Sequence, residues 1–364
     1  MTTERGFIAL VVACAVLSAL VTWLSIRYAR RNALLDLPGQ RRSHAVPTPR
    51  GGGIGIVAAI LAGLAISAIS GHLRVLCESA MVSVVLVAAV GWVDDHRGLG
   101  VRIRLIAHLL AVAALYFPLF QLLIALSNFQ LTGGPDPNPT AVPLTRYVSI
   151  SAIGLIFVLM NVWFINLHNF MDGINGLLAS QAIFVFLALA CLVSGDSRIV
   201  LWLCAASVAG FLPFNFPRAR VFMGDVGSGT LGLLIAGAVV LQIVAFHGSM
   251  FSGLIVCSAF VTDATCTLLS RMLRGRRWYS AHREHLYQWL VRCGFSHARV
   301  VAFYMGWNLF VVVPVLYLVN HGGSASRIDG FIWMSAVYAL ALAVWIVGKR
   351  WCLRRAKYAR KQEV

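Results

Sequence analysis

The chain has 364 residues, 59% of them hydrophobic and only 12% charged, with a formal net charge of +17. A mean hydropathy of +0.81 excludes an ordinary soluble domain and a disordered chain alike. The eight cysteines lie mostly in apolar runs and form no CxxC, so neither a zinc site nor a disulfide framework is expected.

In chain order, apolar stretches near 6–27, 52–70, 76–93, 103–125, 147–165, 177–194, 197–216, 229–247, 249–270, 299–320 and 330–348 predict about eleven transmembrane helices. The fold class is therefore an all-α polytopic membrane protein, read as a single integral membrane domain over 1–364. The first stretch, Gly6 to Tyr28, is too long and too poorly cleavable for a signal peptide and reads as a retained helix. With the N-terminus outside, 25 of the 30 basic residues fall on one face, which the positive-inside rule assigns to the cytoplasm. The basic excess, including the tail at 349–364, thus marks topology and a surface for anionic lipid, and no nucleic-acid partner is expected.

Asp94, Asp95, Asp172, Asp225 and Asp263 all fall at the cytoplasmic ends of apolar segments. A charge at the centre of a membrane helix costs about 2.5 kcal/mol or more, so acids kept near hydrocarbon point to chemistry or ion handling. Gathering at one face favours a site reached from the cytoplasm over a pathway through the bilayer, and no internal repeat suggests a transporter's paired halves.

Gly91-Trp92-Val93-Asp94-Asp95 places two acids at a helix C-terminus, where the dipole disfavours them; either Arg97 answers them in a surface ion pair or a metal does. Asn166 to Gly176, with His168, Asn169, Asp172 and Asn175, is either a capped helix start or a polar site. Asn215 to Gly229 runs into another helix start, where glycines expose backbone N–H groups to a phosphate or serve close helix packing. Asp225 beside such a phosphate requires a bridging metal, which makes it the strongest metal-ligand candidate. His282, Arg283 and His285 read as ligands for phosphate oxygens or as a solvated loop. Asp36 to Gly53, containing His44 and Arg50, suits a polyprenyl-phosphate headgroup and a rigid connector equally well.

Taken together, DLPGQRRSH…PTPRGGG, GWVDD, NLHNFMDGING, FNFPRARVFMGDVGSG and AHREHLYQ resemble, in family order over about 36–288, the polyprenyl-phosphate N-acetylhexosamine-1-phosphate transferases (glycosyltransferase family 4). The last block is similar to the HRxHxYQ loop of bacterial O-antigen-initiating members. The chain departs from the family's DGxDG, reading Asn175 in place of the second acid. The resemblance implies transfer of a HexNAc-1-phosphate group from a UDP-N-acetylhexosamine of GlcNAc, FucNAc or QuiNAc type to undecaprenyl phosphate. The products are undecaprenyl-diphosphate-HexNAc and UMP, at the start of O-antigen or another surface polysaccharide. It implies Mg2+, with Mn2+ as a substitute; Asp94, Asp95 and Asp172 as catalytic residues; and Asp225 with Asp95 as metal ligands. Asn169, Asn175, Asn215, His282, Arg283 and His285 would bind substrate, and His44 and Arg50 the lipid phosphate. The expected setting is the bacterial inner membrane, with a periplasmic N-terminus, a cytoplasmic C-terminus and room for a homodimer. The rival reading is a transporter or channel for an anionic solute.

Overall fold

The computed structural model describes residues 4–32, 35–36, 47–71, 73–132, 144–245, 251–276, 282–321 and 327–362. His44 lies outside them. The architecture is all-α and polytopic. Helices α1 (Glu4–Arg31), α2 (Gly53–Ile69), α3 (Arg74–Arg97), α4 (Val101–Thr132) and α5 (Leu144–Met171) make the first half of the bundle. Helices α6 (Leu177–Leu192), α7 (Asp196–Asn215), α8 (Gly224–Ala245), α9 (Ser252–Val256) and α10 (Ser258–Leu273) follow. The chain ends with α11 (Leu286–Arg292), α12 (His297–Trp307), a π-turn at Asn308–Val312, α13 (Val313–His321) and α14 (Arg327–Gln362). Among the described residues the only strands are β1 (Leu35–Asp36) and β2 (Thr48–Pro49), antiparallel with Asp36 opposite Thr48.

Eight helical segments are long and apolar enough to cross a membrane. The expected eleven differ from this in three places. Helices α2 and α6 have only 17 and 16 residues, and the stretch at 249–270 is divided at Cys257 between α9 and α10. More than half of the residues of α2 and α6 are buried in the bundle. All eight cysteines are free thiols.

Helix α8 is the axis of the bundle. It packs against α2, α3, α5 and α6, and 78% of its apolar window is buried, against 17% for the peripheral α1 and α14. Apolar helices in a membrane gain little from hydrophobic exclusion between themselves, so small residues that permit close backbone approach decide which faces meet. A Cβ on Gly55 would lie 2.1 Å from the Thr22 hydroxyl of α1, and one on Gly53 2.5 Å from the Cα of Gly227 in α8. A Cβ on Gly91 would lie 2.6 Å from the backbone of Asp225. The last contact brings the end of α3 against the start of α8.

Gly91→Ala is therefore expected to destabilise the folded protein by about 1–3 kcal/mol, because the backbone it meets cannot turn aside. Thermal unfolding in detergent checks this, with Gly100→Ala, whose Cβ meets nothing within 4 Å, as the silent control. Equal melting temperatures for the two variants exclude the close-packing account.

Candidate active site

Four chain segments enclose a polar cleft of about 270 Å³ at one end of α8. The strand pair and its exit supply Asp36 and Arg50; the turn after α5 supplies Asn169, Asp172, Gly173 and Asn175. The turn before α8 and its first turns supply Asn215, Phe222, Gly224, Asp225 and Ser228, and the segment around α11 supplies Arg283, Gln288 and His297.

The acids of GWVDD meet α8 rather than solvent. The Asp95 side chain is 2% exposed and accepts the N–H groups of Asp225 at 3.1 Å and Val226 at 3.4 Å. It also takes the Nε of Arg50 at 3.0 Å. Gly224, at φ +75°, permits this approach, since a Cβ there would meet Asp95 Oδ2 at 2.4 Å. Asp94 accepts from the backbone of Leu99 and from Arg104 at 2.9 Å. Asp225 in turn lies 3.6 Å from Arg50 and 3.7 Å from Arg104. The sequence left open whether Arg97 or a metal answers this pair; Arg97 is exposed, and the cations beside the two acids are Arg50 and Arg104. Arg104, read only as a topology signal, comes into place because α4 begins directly after the turn at Gly98–Gly100.

The nest for phosphate expected at the α8 N-terminus takes another form. Its first N–H groups are occupied by Asp95, and those of Gly52 and Gly53 donate to the carbonyls of Phe222 and Met223 at 2.9 Å each. The glycine-rich segment around Arg50 is thus a rigid connector. Asn215 is likewise committed: its Oδ1 accepts from Gly176 N at 2.7 Å and its Nδ2 donates to Val221 O at 3.0 Å. It lines the cleft while pinning two of the cleft's turns together. Asn175 donates to Pro217 O at 3.3 Å, and Asn169 faces the cleft. His168 is buried with its Nδ1 on Phe164 O.

Of His282, Arg283 and His285, only Arg283 lines the cleft. His285 is buried in an aromatic stack with Phe170, Tyr287 and His282, and His282 is half-buried beside it. Burial, followed by the neighbouring His285, lowers the His282 pKa to about 4, so this ring is neutral at pH 7. Asp263 lies apart from the cleft, buried behind the loop. Sequence reasoning did not find His297, which carries no signal of its own; Ser228 and Gln288 stood in the quoted motifs without a role.

Five carboxylates, Asp36, Asp94, Asp95, Asp172 and Asp225, thus stand against Arg50 and Arg104, with Arg283 across the cleft. Among the described residues no three His, Cys, Asp or Glu side chains form a ready metal cluster. Mg2+ does not require one, since it binds through one or two carboxylates and completes its shell with water and substrate phosphates. Asp225 and Asp172 meet that demand with hard oxygen donors on the cleft wall, so the residues fit the ion.

The chain matches the model of glycosyl transferase family 4 over residues 78–243. It is 28% identical over 325 residues to a decaprenyl-phosphate N-acetylglucosaminephosphotransferase of Mycobacterium leprae, covering 80% of this chain and 79% of the relative. A probable undecaprenyl-phosphate N-acetylglucosaminyl 1-phosphate transferase of Bacillus subtilis is 26% identical, covering 90% and 86%. An undecaprenyl-phosphate alpha-N-acetylglucosaminyl 1-phosphate transferase of Escherichia coli K12 is 25% identical, covering 93% and 89%.

Burial first, and the charge of Asp225 second, raise the Asp172 pKa well above the ordinary carboxylate value, against the attraction of Arg50. The folded state therefore holds this proton more tightly than the unfolded chain. Its contribution to stability is full below about pH 4 and is lost as pH rises through the folded pKa. Metal-free protein in EDTA should accordingly lose melting temperature as pH rises above the ordinary carboxylate range, and Asp172→Asn should flatten that slope. Parallel profiles for the two proteins contradict the assignment.

Proposed function

We propose that this chain, which belongs to glycosyl transferase family 4, transfers a HexNAc-1-phosphate group from a UDP-N-acetylhexosamine to undecaprenyl phosphate. The observation that carries the reading is the cleft itself, acidic on one wall and arginine-bearing on the other, at the end of an apolar bundle. The names of the curated relatives support a polyprenyl-phosphate acceptor and an amino-sugar phosphate as the transferred group.

In the proposed reaction an oxygen of the lipid phosphate attacks the sugar-proximal phosphorus of the donor. The bond from that phosphorus to the bridging oxygen of UMP breaks, UMP leaves with the electron pair, and the sugar–oxygen bond is untouched. Two anions must approach, so the chief task is neutralising charge and holding the groups in line. Asp225 and Asp172 would hold Mg2+, which would supply charge neutralisation at the phosphates. Arg50 faces the same phosphates and is steadied by the buried Asp95. Arg104 is aimed by Asp94, whose carboxylate is already engaged; this gives Asp94 an organising role. Arg283 closes on the diphosphate from the opposite wall, where the neutral His282 and the buried His285 support it by packing. Asn169 and Asn175 are placed for hydrogen bonds to nucleotide or sugar.

Release of UMP from UDP-GlcNAc, UDP-FucNAc and UDP-QuiNAc, with purified protein, Mg2+ or Mn2+ and undecaprenyl phosphate, tests the reading and selects the donor. Asp225→Asn should insert normally and lose more than about tenfold in rate, because an amide is a poor Mg2+ ligand. Asn175→Ala should raise the donor KM and leave the Mg2+ requirement unchanged. No UMP from any of these donors rejects the transferase reading.

The proposed setting is the bacterial inner membrane, with the cleft on the cytoplasmic side and initiation of a surface polysaccharide as the role. A reporter fused after Val364 should read cytoplasmic and one placed at 133–143 periplasmic. The reverse pattern overturns the orientation.

A further inference from the structure

Behind the cleft Asp263 is buried with no arginine in an ion pair with it among the described residues. Asp263 of α10 is 2% exposed and accepts five hydrogen bonds. They come from the N–H of Leu286 at 2.7 Å, the N–H of Tyr287 at 3.4 Å and the hydroxyl of Thr267 at 3.2 Å. The hydroxyl of Tyr304 at 2.7 Å and the indole of Trp345 at 3.1 Å complete the set. A carboxylate offers about four lone-pair positions, so Asp263 is saturated and has no capacity for a ligand. Its donors arrive from α11, α12 and α14, and the two N–H groups are the first of α11, where a negative charge also meets the favourable end of the helix dipole.

Tyr287 carries this anchorage to the cleft. Its fully buried ring runs under the turn after α5, and its hydroxyl donates to Phe170 O at 2.8 Å. It also accepts from Gln288 Nε2 at 3.1 Å. The turn accommodates it only because residue 173 is glycine, since a Cβ there would stand 2.1 Å from the Tyr287 oxygen. One residue further lies Asp172. On the other side of Tyr287 lie Arg283 and Gln288, which line the facing wall. The loop before α11 is held from behind by Glu284 in ion pairs with Arg271 and Arg276.

We propose that Asp263 and Tyr287 are positioning residues that form a strut between the two walls of the cleft. Asp263 holds the start of α11, and Tyr287 transmits that position to the Asn169–Asn175 turn, setting the reach of Arg283 to a phosphate near Asp172. The kinetic part of this inference rests on the transferase reading; the structural part does not.

Tyr287→Phe keeps the buried ring and removes only the hydroxyl. It should leave the melting temperature close to that of the parent, raise the donor KM about three- to tenfold and change kcat less, the range expected for one lost neutral hydrogen bond. In hydrogen exchange on the full-length protein in detergent, amides of 169–176 should exchange faster. Gly173→Ala should shift both readouts in the same direction. Asp263→Asn, which retains one acceptor oxygen, should do so through faster exchange at both 169–176 and 286–288. Parental KM together with parental exchange at 169–176 in Tyr287→Phe overturns the strut, as does an equal loss of kcat with KM unchanged. If the parent releases no UMP from any donor while Tyr287→Phe still loosens 169–176, the transferase reading falls and the strut stands.

Discussion

Asp95 accepts two N–H groups from the first turn of α8 and the Nε of Arg50 while its own side chain is 2% exposed. Burying a carboxylate costs several kcal/mol unless hydrogen bonds and opposite charge replace the lost water. Here both are supplied, and the N-terminal end of a helix dipole adds to them. Because the anion has no alternative partners of equal quality, α3, α8 and the Arg50 segment are held in one arrangement. That arrangement leaves Asp225 facing the cleft, with Asp94 and Arg104 beside it. The remaining geometry of the acidic wall follows from this one buried charge.

The glycines of the site serve that arrangement. Gly91, Gly224, Gly53 and Gly227 remove the Cβ atoms that would separate α2, α3 and α8, and Gly173 makes room for the Tyr287 hydroxyl. Free N–H groups at a helix start are a common way to hold phosphate, and the sequence allows it here. In the folded chain those groups already have partners. In the proposed reaction recognition of phosphate would fall to guanidinium groups and a divalent ion, which can adapt as charge moves, whereas a backbone nest is committed to one position.

The two walls of the cleft are built on different terms. The acidic wall is held by charge, through Asp95 with Arg50 and Asp94 with Arg104. The facing wall is held from behind, through stacked rings, Tyr287, the saturated Asp263 and the ion pairs of Glu284 with Arg271 and Arg276. Acids gathered on one wall and Arg283 on the other create a field across a narrow polar gap, which suits a substrate carrying several phosphates. It also separates the parts: altering the packed wall should disturb substrate position more than metal binding, and altering the acidic wall should do the opposite.

The sequence by itself determined the membrane class, the polar breaks between apolar runs and the acids and arginines that gather there. Hydropathy is a sum over neighbours in the chain, and an unshielded carboxylate beside hydrocarbon is costly enough to stand out wherever it occurs. The blocks around Asp94, Asp172, Asp225 and Arg283 were legible for that reason, together with the family they resemble. Tertiary structure alone decided partners and orientation. Arg104 rather than Arg97 answers Asp94, Asn215 is consumed by the backbone of two turns, and His285 turns inward while Arg283 turns out. Asp263, an acid of the same apparent kind as the rest, is a scaffold anchor. Which cation meets which carboxylate depends on distances across helices far apart in the chain, and those distances are set by the contacts of glycines and rings that no local pattern records.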